Sequence, residues 1–222
     1  MTDQVSTFRG VKAFHRTEAR VIDFGRVLNA AAAALLIVFI APLLVVLAVL
    51  VRAQDGGPAL FRQKRIGRDG RVFRCLKFRS MAVDAEVRLQ RLLASDADAR
   101  AEWDAQHKLK SDPRITPLGD FLRKSSLDEL PQLFNVLVGD MELVGPRPVV
   151  EAEAARYGRR FRDYCTVRPG ITGLWQVSGR SNTTYRRRVA MDVIYSRAKS
   201  PSLDLRILLA TIPAVLLRKG SC

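Results

Sequence analysis

Between Val27 and Val51 the chain runs for 25 residues without a charged side chain. As an α-helix this stretch is about 37 Å long at ~1.5 Å per residue, enough to cross a hydrocarbon core of ~30 Å. Its length and composition predict membrane insertion rather than a helix buried in a soluble core. It is too long, and starts too far into the chain, for a secretory leader. Insertion need not mean crossing. Pro42 lies in the middle, deprives the Val38 carbonyl of its helical partner and kinks the chain. Arg16, Arg20 and Arg26 precede the stretch, and Arg52, Arg62, Lys64, Arg65, Arg68, Arg71 and Arg74 follow it. Positive flanks normally lie on the cytoplasmic side. Both flanks therefore ask for the cytoplasm, which a broken helix that enters and returns would satisfy. A Pro-kinked spanning helix with an outside N-terminus is the alternative.

The 222 residues allow one good-sized domain with a real core. A formal net charge of +15 predicts anionic partners: phospholipid headgroups, phosphorylated substrates or nucleic acid. Cys75, Cys165 and Cys222 are widely spaced and form no CxxC pair, which argues against a disulfide framework or zinc site and fits a reducing compartment. Beyond the turn at Asp55–Pro58, alternating apolar and basic residues up to Arg79 predict two short strands joined by a hairpin turn at Arg68–Arg71. Lys77 and Arg79 are candidates to reach substrate phosphates. Ala82–Leu109 is helical in composition. Its Asp96-Ala97-Asp98 has the form of a DxD metal motif but reads as chance in so Asp- and Ala-rich a segment. Val149–Arg162 and Ser181–Lys199 read as charged helices, and TGLWQV, from Thr172 to Val177, as a short strand. Ser202–Leu217 is apolar around most of a helix, interrupted by Pro213, and reads as lying on the membrane.

The densest chemistry lies in Ser125–Pro148. Asp128 and Glu129 are adjacent carboxylates ahead of Pro131, which is placed to open a helix that Gly139 can end. Neighbouring residues point in different directions, so one carboxylate can be a nucleophile while the other holds a metal or moves protons. Ser126-Leu127-Asp128-Glu129 also reads as a capping box, which needs no chemistry. Arg123 upstream and Arg147, stiffened between Pro146 and Pro148, favour the chemical reading. Carboxylates among firmly held arginines suit a polyanion such as a nucleotide diphosphate.

LKFRSM, DPRIT, LRKSSLDELPQLFNVLVGDMELVGPRP and RPGITGLWQVSGR, in that order, resemble the bacterial sugar transferase family, the monotopic polyprenyl-phosphate phosphoglycosyl transferases. The overall pattern, through TIPAVLLRKGS, is most similar to short hexose-specific members that start exopolysaccharide repeat units. The resemblance implies an α+β, mostly helical fold. Residues 1–26 would form a basic cytoplasmic segment and 27–52 a re-entrant membrane helix broken at Pro42. Residues 53–222 would form a small cytoplasmic catalytic domain with amphipathic interfacial helices. It implies transfer of hexose-1-phosphate from a UDP-hexose, galactose or glucose, to undecaprenyl phosphate, with release of UMP and with Mg2+. The location would be the cytoplasmic face of the bacterial inner membrane. By the same resemblance Asp128 is the covalent nucleophile and Glu129 helps hold the metal. Arg123 and Arg147 meet phosphates, and Lys77, Arg79, Arg168 and Arg180 are further phosphate candidates. The expected partners are the UDP-sugar, undecaprenyl phosphate, membrane lipid and, as an option, a second copy in a homodimer, but not nucleic acid. A membrane-bound glycosyltransferase releasing UDP and a membrane-attached nucleic-acid-binding protein are the alternatives.

Overall fold

The computed structural model describes residues 23–106, 109–179 and 183–216. Helix α1, Phe24–Ala53, opens on Asp23, whose carboxylate accepts from the Arg26 amide at 3.2 Å. It is assigned as one helix through Pro42. Only 11% of its most apolar window is buried. Leu35, Val38, Phe39, Val45, Val46 and Val49 are all exposed, a face suited to lipid rather than water. The opposite stripe packs on the rest of the chain along its whole length. Ala33, Ile37 and Ile40 meet Phe73, Cys75, Leu133, Val136 and Met141. Leu44, Leu47, Ala48 and Val51 meet Phe78, Leu118 and Leu122. This three-to-four spacing is that of one helix face.

The hairpin expected from the basic alternation is present. Strands β1, Leu60–Ile66, and β2, Val72–Phe78, pair antiparallel with Ile66 opposite Val72. Asp69 and Gly70 turn the chain at φ 57° and 73°. Only glycine and short polar residues visit that left-handed region readily. Alternation along β2 puts Phe73, Cys75 and Lys77 on one face, so a core strand delivers a lysine at its end. Helices α2, Ala85–Ser95, and α3, Ala97–Gln106, follow. Asp96 separates them by accepting from the Ala99 amide at 2.9 Å. Asp96-Ala97-Asp98 is thus a helix junction. Among the described residues no cluster of three or more metal-ligating side chains occurs.

Helix α4, Pro117–Ser125, is capped by Thr116, whose hydroxyl accepts from the Gly119 amide at 2.9 Å. Helix α5, Gln132–Val138, starts after Pro131 and ends at Gly139, φ 91°. The capping box read at Ser126 is not formed. Ser126 ends α4 in the left-handed conformation, φ 59°, and Leu127–Glu129 is a single 3-10 turn between the helices. Asn135 then staples α5 to β2. Its amide donates to the Arg74 carbonyl at 2.8 Å and its oxygen accepts from the Leu76 amide at 2.9 Å.

Strands β3, Glu142–Val144, and β4, Gly170–Thr172, pair in parallel. The backbones close up beyond them: a Cβ on Gly170 would lie 2.0 Å from the Gly145 nitrogen. Glycine at both positions lets the two motifs GPRP and RPG interlock. Helices α6, Glu151–Tyr157, and α7, Phe161–Cys165, are separated by a turn starting at Gly158, φ 54°. The strand read at TGLWQV is corrected. The strand is Gly170–Thr172, and Leu174–Val177 forms a helical turn, α8. A Cβ on Gly173 would lie 2.3 Å from the Gly145 carbonyl oxygen. The ladder therefore stops there and the chain coils with Trp175 buried. Helices α9, Tyr185–Ala198, and α10, Pro201–Leu216, complete the mostly helical α+β fold.

On α9, Asp192 is 1% exposed and accepts from the Tyr157 hydroxyl at 2.7 Å, while its other oxygen has no hydrogen-bond partner among the described residues. Burial pushes its carboxyl up to about 7, against the opposing pull of Tyr157 and Arg147. A raised folded-state value means stability is fully present below the unfolded carboxylate value and is lost as pH rises through about 7. Asp192→Asn keeps the shape and removes the titration. The wild-type melting temperature should therefore fall by several degrees between pH 5 and 8, relative to a variant that is nearly flat across that range.

Candidate active site

The 3-10 turn Leu127–Glu129 presents its two carboxylates to the end of β2. Lys77 Nζ lies 2.6 Å from Glu129 Oε1 and 3.7 Å from Asp128 Oδ2. Arg147 Nη2 approaches the same Glu129 oxygen at 3.2 Å. Burial alone would raise the Glu129 carboxyl, but Arg147 and Lys77 outweigh it and hold it at about 2. Glu129 is thus a fixed anion between two cations. Asp128 differs. It is 8% exposed, and among the described residues its one polar contact is the 3.7 Å approach of Lys77. Burial pushes its carboxyl up; Lys77 opposes this, and the neighbouring Glu129 adds to it. The clamped carboxylate and the loosely held one have different environments, as two different roles require.

Arg147 is held from behind. Arg65 donates to the Pro148 carbonyl at 2.8 Å, and its other guanidinium nitrogen reaches Gln63 at 2.6 Å. The carboxylates open onto a cleft of about 1320 Å³ that also contains Lys77, Arg123 and Arg147. Arg188 lies 4.6 Å over the Trp175 ring, and both line this cleft. Removing Lys77 takes away a cation that favours ionised Asp128. Lys77→Met should therefore move the acidic limb of the pH–rate profile to higher pH. An unmoved limb in the residual activity would separate Asp128 ionisation from the rate.

The structure brings together Asp128, Glu129, Lys77, Arg123 and Arg147. Two other phosphate candidates are turned to protein partners, although Arg79 also lines this cleft. Arg79 spends all five N–H donors on Asp55, on the Pro58 and Met81 carbonyls and on the Val51 carbonyl at the end of α1. It is a buried tie between β2 and α1 at the edge of the cleft. Arg168 bonds Asp23 at 3.2 Å and Glu142 at 3.3 Å, and Lys199 takes the second Glu142 oxygen. That cluster ties the start of α1 to β3. Arg180 lies outside the described residues. Arg65 and Asn135 are the supporting residues that sequence reasoning missed. Their partners are separated from them by 83, 59 and 61 positions, so no local pattern could point to them.

Two adjacent carboxylates offer hard oxygens to a magnesium ion, which commonly takes one or two carboxylates plus substrate phosphate oxygens. Both cations meet Glu129 through Oε1, and among the described residues no hydrogen bond reaches Oε2, which could serve a metal. The residues therefore fit Mg2+ if a diphosphate supplies further ligands.

Two carboxylates with bracketing cations sit beside a long helix whose outer face is exposed and apolar, an arrangement suited to a membrane-associated protein that handles phosphate groups. The sequence profile described as bacterial sugar transferase matches residues 20–218, and the chain belongs to that family. It is 52% identical over 186 residues to a UDP-galactose-lipid carrier transferase of Erwinia amylovora, covering 84% of this chain and 39% of that protein. It is 46% identical over 189 residues to the exopolysaccharide production protein ExoY of Sinorhizobium fredii, covering 85% and 84%. It is 41% identical over 199 residues to a UDP-glucose:undecaprenyl-phosphate glucose-1-phosphate transferase of Caulobacter vibrioides, covering 86% and 69%. The chain thus spans about two fifths of the length of the Erwinia relative.

Proposed function

We propose that this protein transfers hexose-1-phosphate from a UDP-hexose to undecaprenyl phosphate and releases UMP, priming an exopolysaccharide repeat unit. The observation that carries the reading is the inequality of the carboxylates: Glu129 is clamped by Lys77 and Arg147, whereas Asp128 faces the cleft unclamped. An Asp128 oxygen attacks the β-phosphorus. The bond from that phosphorus to the bridging oxygen breaks, and UMP departs with the electron pair. A sugar-phosphoryl-aspartate remains. An oxygen of the acceptor phosphate then attacks the same phosphorus and releases Asp128. Lys77, Arg123 and Arg147 offset the charge that would repel one anion from another. Glu129 would help hold Mg2+, which when bound neutralises diphosphate charge. The names of the Erwinia and Caulobacter relatives support galactose or glucose as the hexose.

Detergent-solubilised protein given UDP-galactose, UDP-glucose and undecaprenyl phosphate should release UMP and form a diphosphate-linked lipid. Release of UDP instead would identify a glycosyltransferase that leaves the phosphate behind.

The same reading places the catalytic domain on the cytoplasmic face of the inner membrane, with α1 entering and returning. Support comes from the two ends of α1. Asp23 bonds Arg168 at one end, and Asp55, just past the other, bonds Arg79, all within one folded unit. A straight 30-residue helix is about 45 Å long and would carry its ends to opposite faces of a ~30 Å core. Cysteines placed at Thr7 and Gln54, in a background lacking the native three, should both resist an impermeant thiol reagent added to intact cells. Labelling at Thr7 would establish a spanning helix.

A further inference from the structure

Resting on the transferase reading, we propose that the polyprenyl tail of the lipid acceptor lies in a groove between α1 and α10, floored by the β3–β4 pair. The floor is Leu143 and Ile171, which occupy equivalent places between the paired positions of the two parallel strands. Leu36 and Ile40 of α1 form one wall, and Leu208, Thr211 and Ala214 of α10 form the other; all line the same cleft as Asp128 and Arg147. The Thr211 hydroxyl donates to the Ile207 carbonyl at 2.7 Å and lies 2.8 Å from the Thr172 hydroxyl. Its polar atom is satisfied within the protein, so this wall is apolar to a ligand. Ile171 also lines the small pocket containing Lys77, Glu129 and Arg147. One surface therefore runs from the cation–carboxylate cluster to the side of a helix whose outer face is exposed apolar residue after residue. An amphiphile with an anionic head and a long hydrocarbon tail matches that sequence of environments. Its phosphate would meet Lys77 and Arg147, and its first isoprene units would cover Ile171 and Leu143.

The two half-reactions separate this groove from the donor site. Ala214→Phe and, on the facing wall, Leu36→Trp narrow it without touching a charged residue. The UMP burst from UDP-hexose without acceptor counts competent sites whatever fraction of a variant folds. Per competent site, both variants should raise the KM for undecaprenyl phosphate about tenfold or more, equal to ~1.4 kcal/mol. The KM for a phosphate bearing only two isoprene units should change far less. The long-over-short preference then falls while the donor burst persists. Equal effects on both acceptors, no effect on either, or loss of the donor burst in the variants would overturn the groove as the tail site; no effect is also the outcome if an ordinary bilayer lipid fills it. Absence of a burst from the wild-type protein would instead overturn the transferase chemistry, and the groove with it.

Discussion

Asp128→Asn should abolish turnover and leave the melting temperature equal to or above that of the wild type. The amide is close in shape to the carboxylate but has no anionic oxygen with which to attack phosphorus. A loss of four or more orders of magnitude, roughly 5 kcal/mol or more of barrier, is expected. The stability half of the forecast follows from the environment. Burial and the adjacent Glu129 both disfavour the ionised form of Asp128, which sits 8% exposed. At neutral pH the charge is a cost to the fold, and a neutral isostere removes it. A purely structural Asp128 would give the opposite pattern, with normal specific activity and lowered stability. Measuring melting temperature and specific activity on one preparation distinguishes the two.

Arg79→Ala should destabilise the protein by ~1–3 kcal/mol, the usual cost of leaving buried backbone acceptors without their donor, since Asp55 itself is solvent-exposed. Its guanidinium holds the Asp55 carboxyl well below the ordinary carboxylate range and also satisfies three backbone carbonyls. Arg79→Lys keeps the charge but cannot reproduce five directed bonds, so it should recover only part of the loss. A phosphate-binding Arg79 would behave differently, leaving stability intact and raising the KM for the UDP-sugar. Urea unfolding of both variants, beside their kinetics, decides between the two. Lys77 lies two residues before Arg79, so loosening this tie should also weaken the placement of Lys77 against Glu129.

Arg79 also shows where sequence reasoning reaches its limit. The β1–β2 hairpin, the α5 boundaries at Pro131 and Gly139, and the apolar α1 were legible because each rests on local rules: alternation, fixed proline φ, glycine turns and length. The carboxylate pair was legible from adjacency and its basic surroundings. Which arginine meets which anion was not, because the Arg79–Asp55, Arg168–Glu142 and Arg65–Pro148 contacts depend on chain packing. Ser126 misled for a related reason. A Ser-x-x-Glu pattern suits a helix start, but α4 reaches Ser125 and uses Ser126 as its left-handed end. At LWQV, the apolar residues suited either a strand or a buried helical turn, and the close passage of Gly145 against Gly173 selected the turn.

The covalent step at Asp128 is tested most directly by peptide-level mass spectrometry. Full-length protein incubated with UDP-galactose or UDP-glucose, without lipid acceptor, is quenched in acid and digested. A mass gain of one hexose phosphate is expected on the peptide containing Asp128, in step with released UMP, with its loss on adding undecaprenyl phosphate. An unmodified Asp128 peptide under conditions where lipid product forms at the normal rate would contradict it.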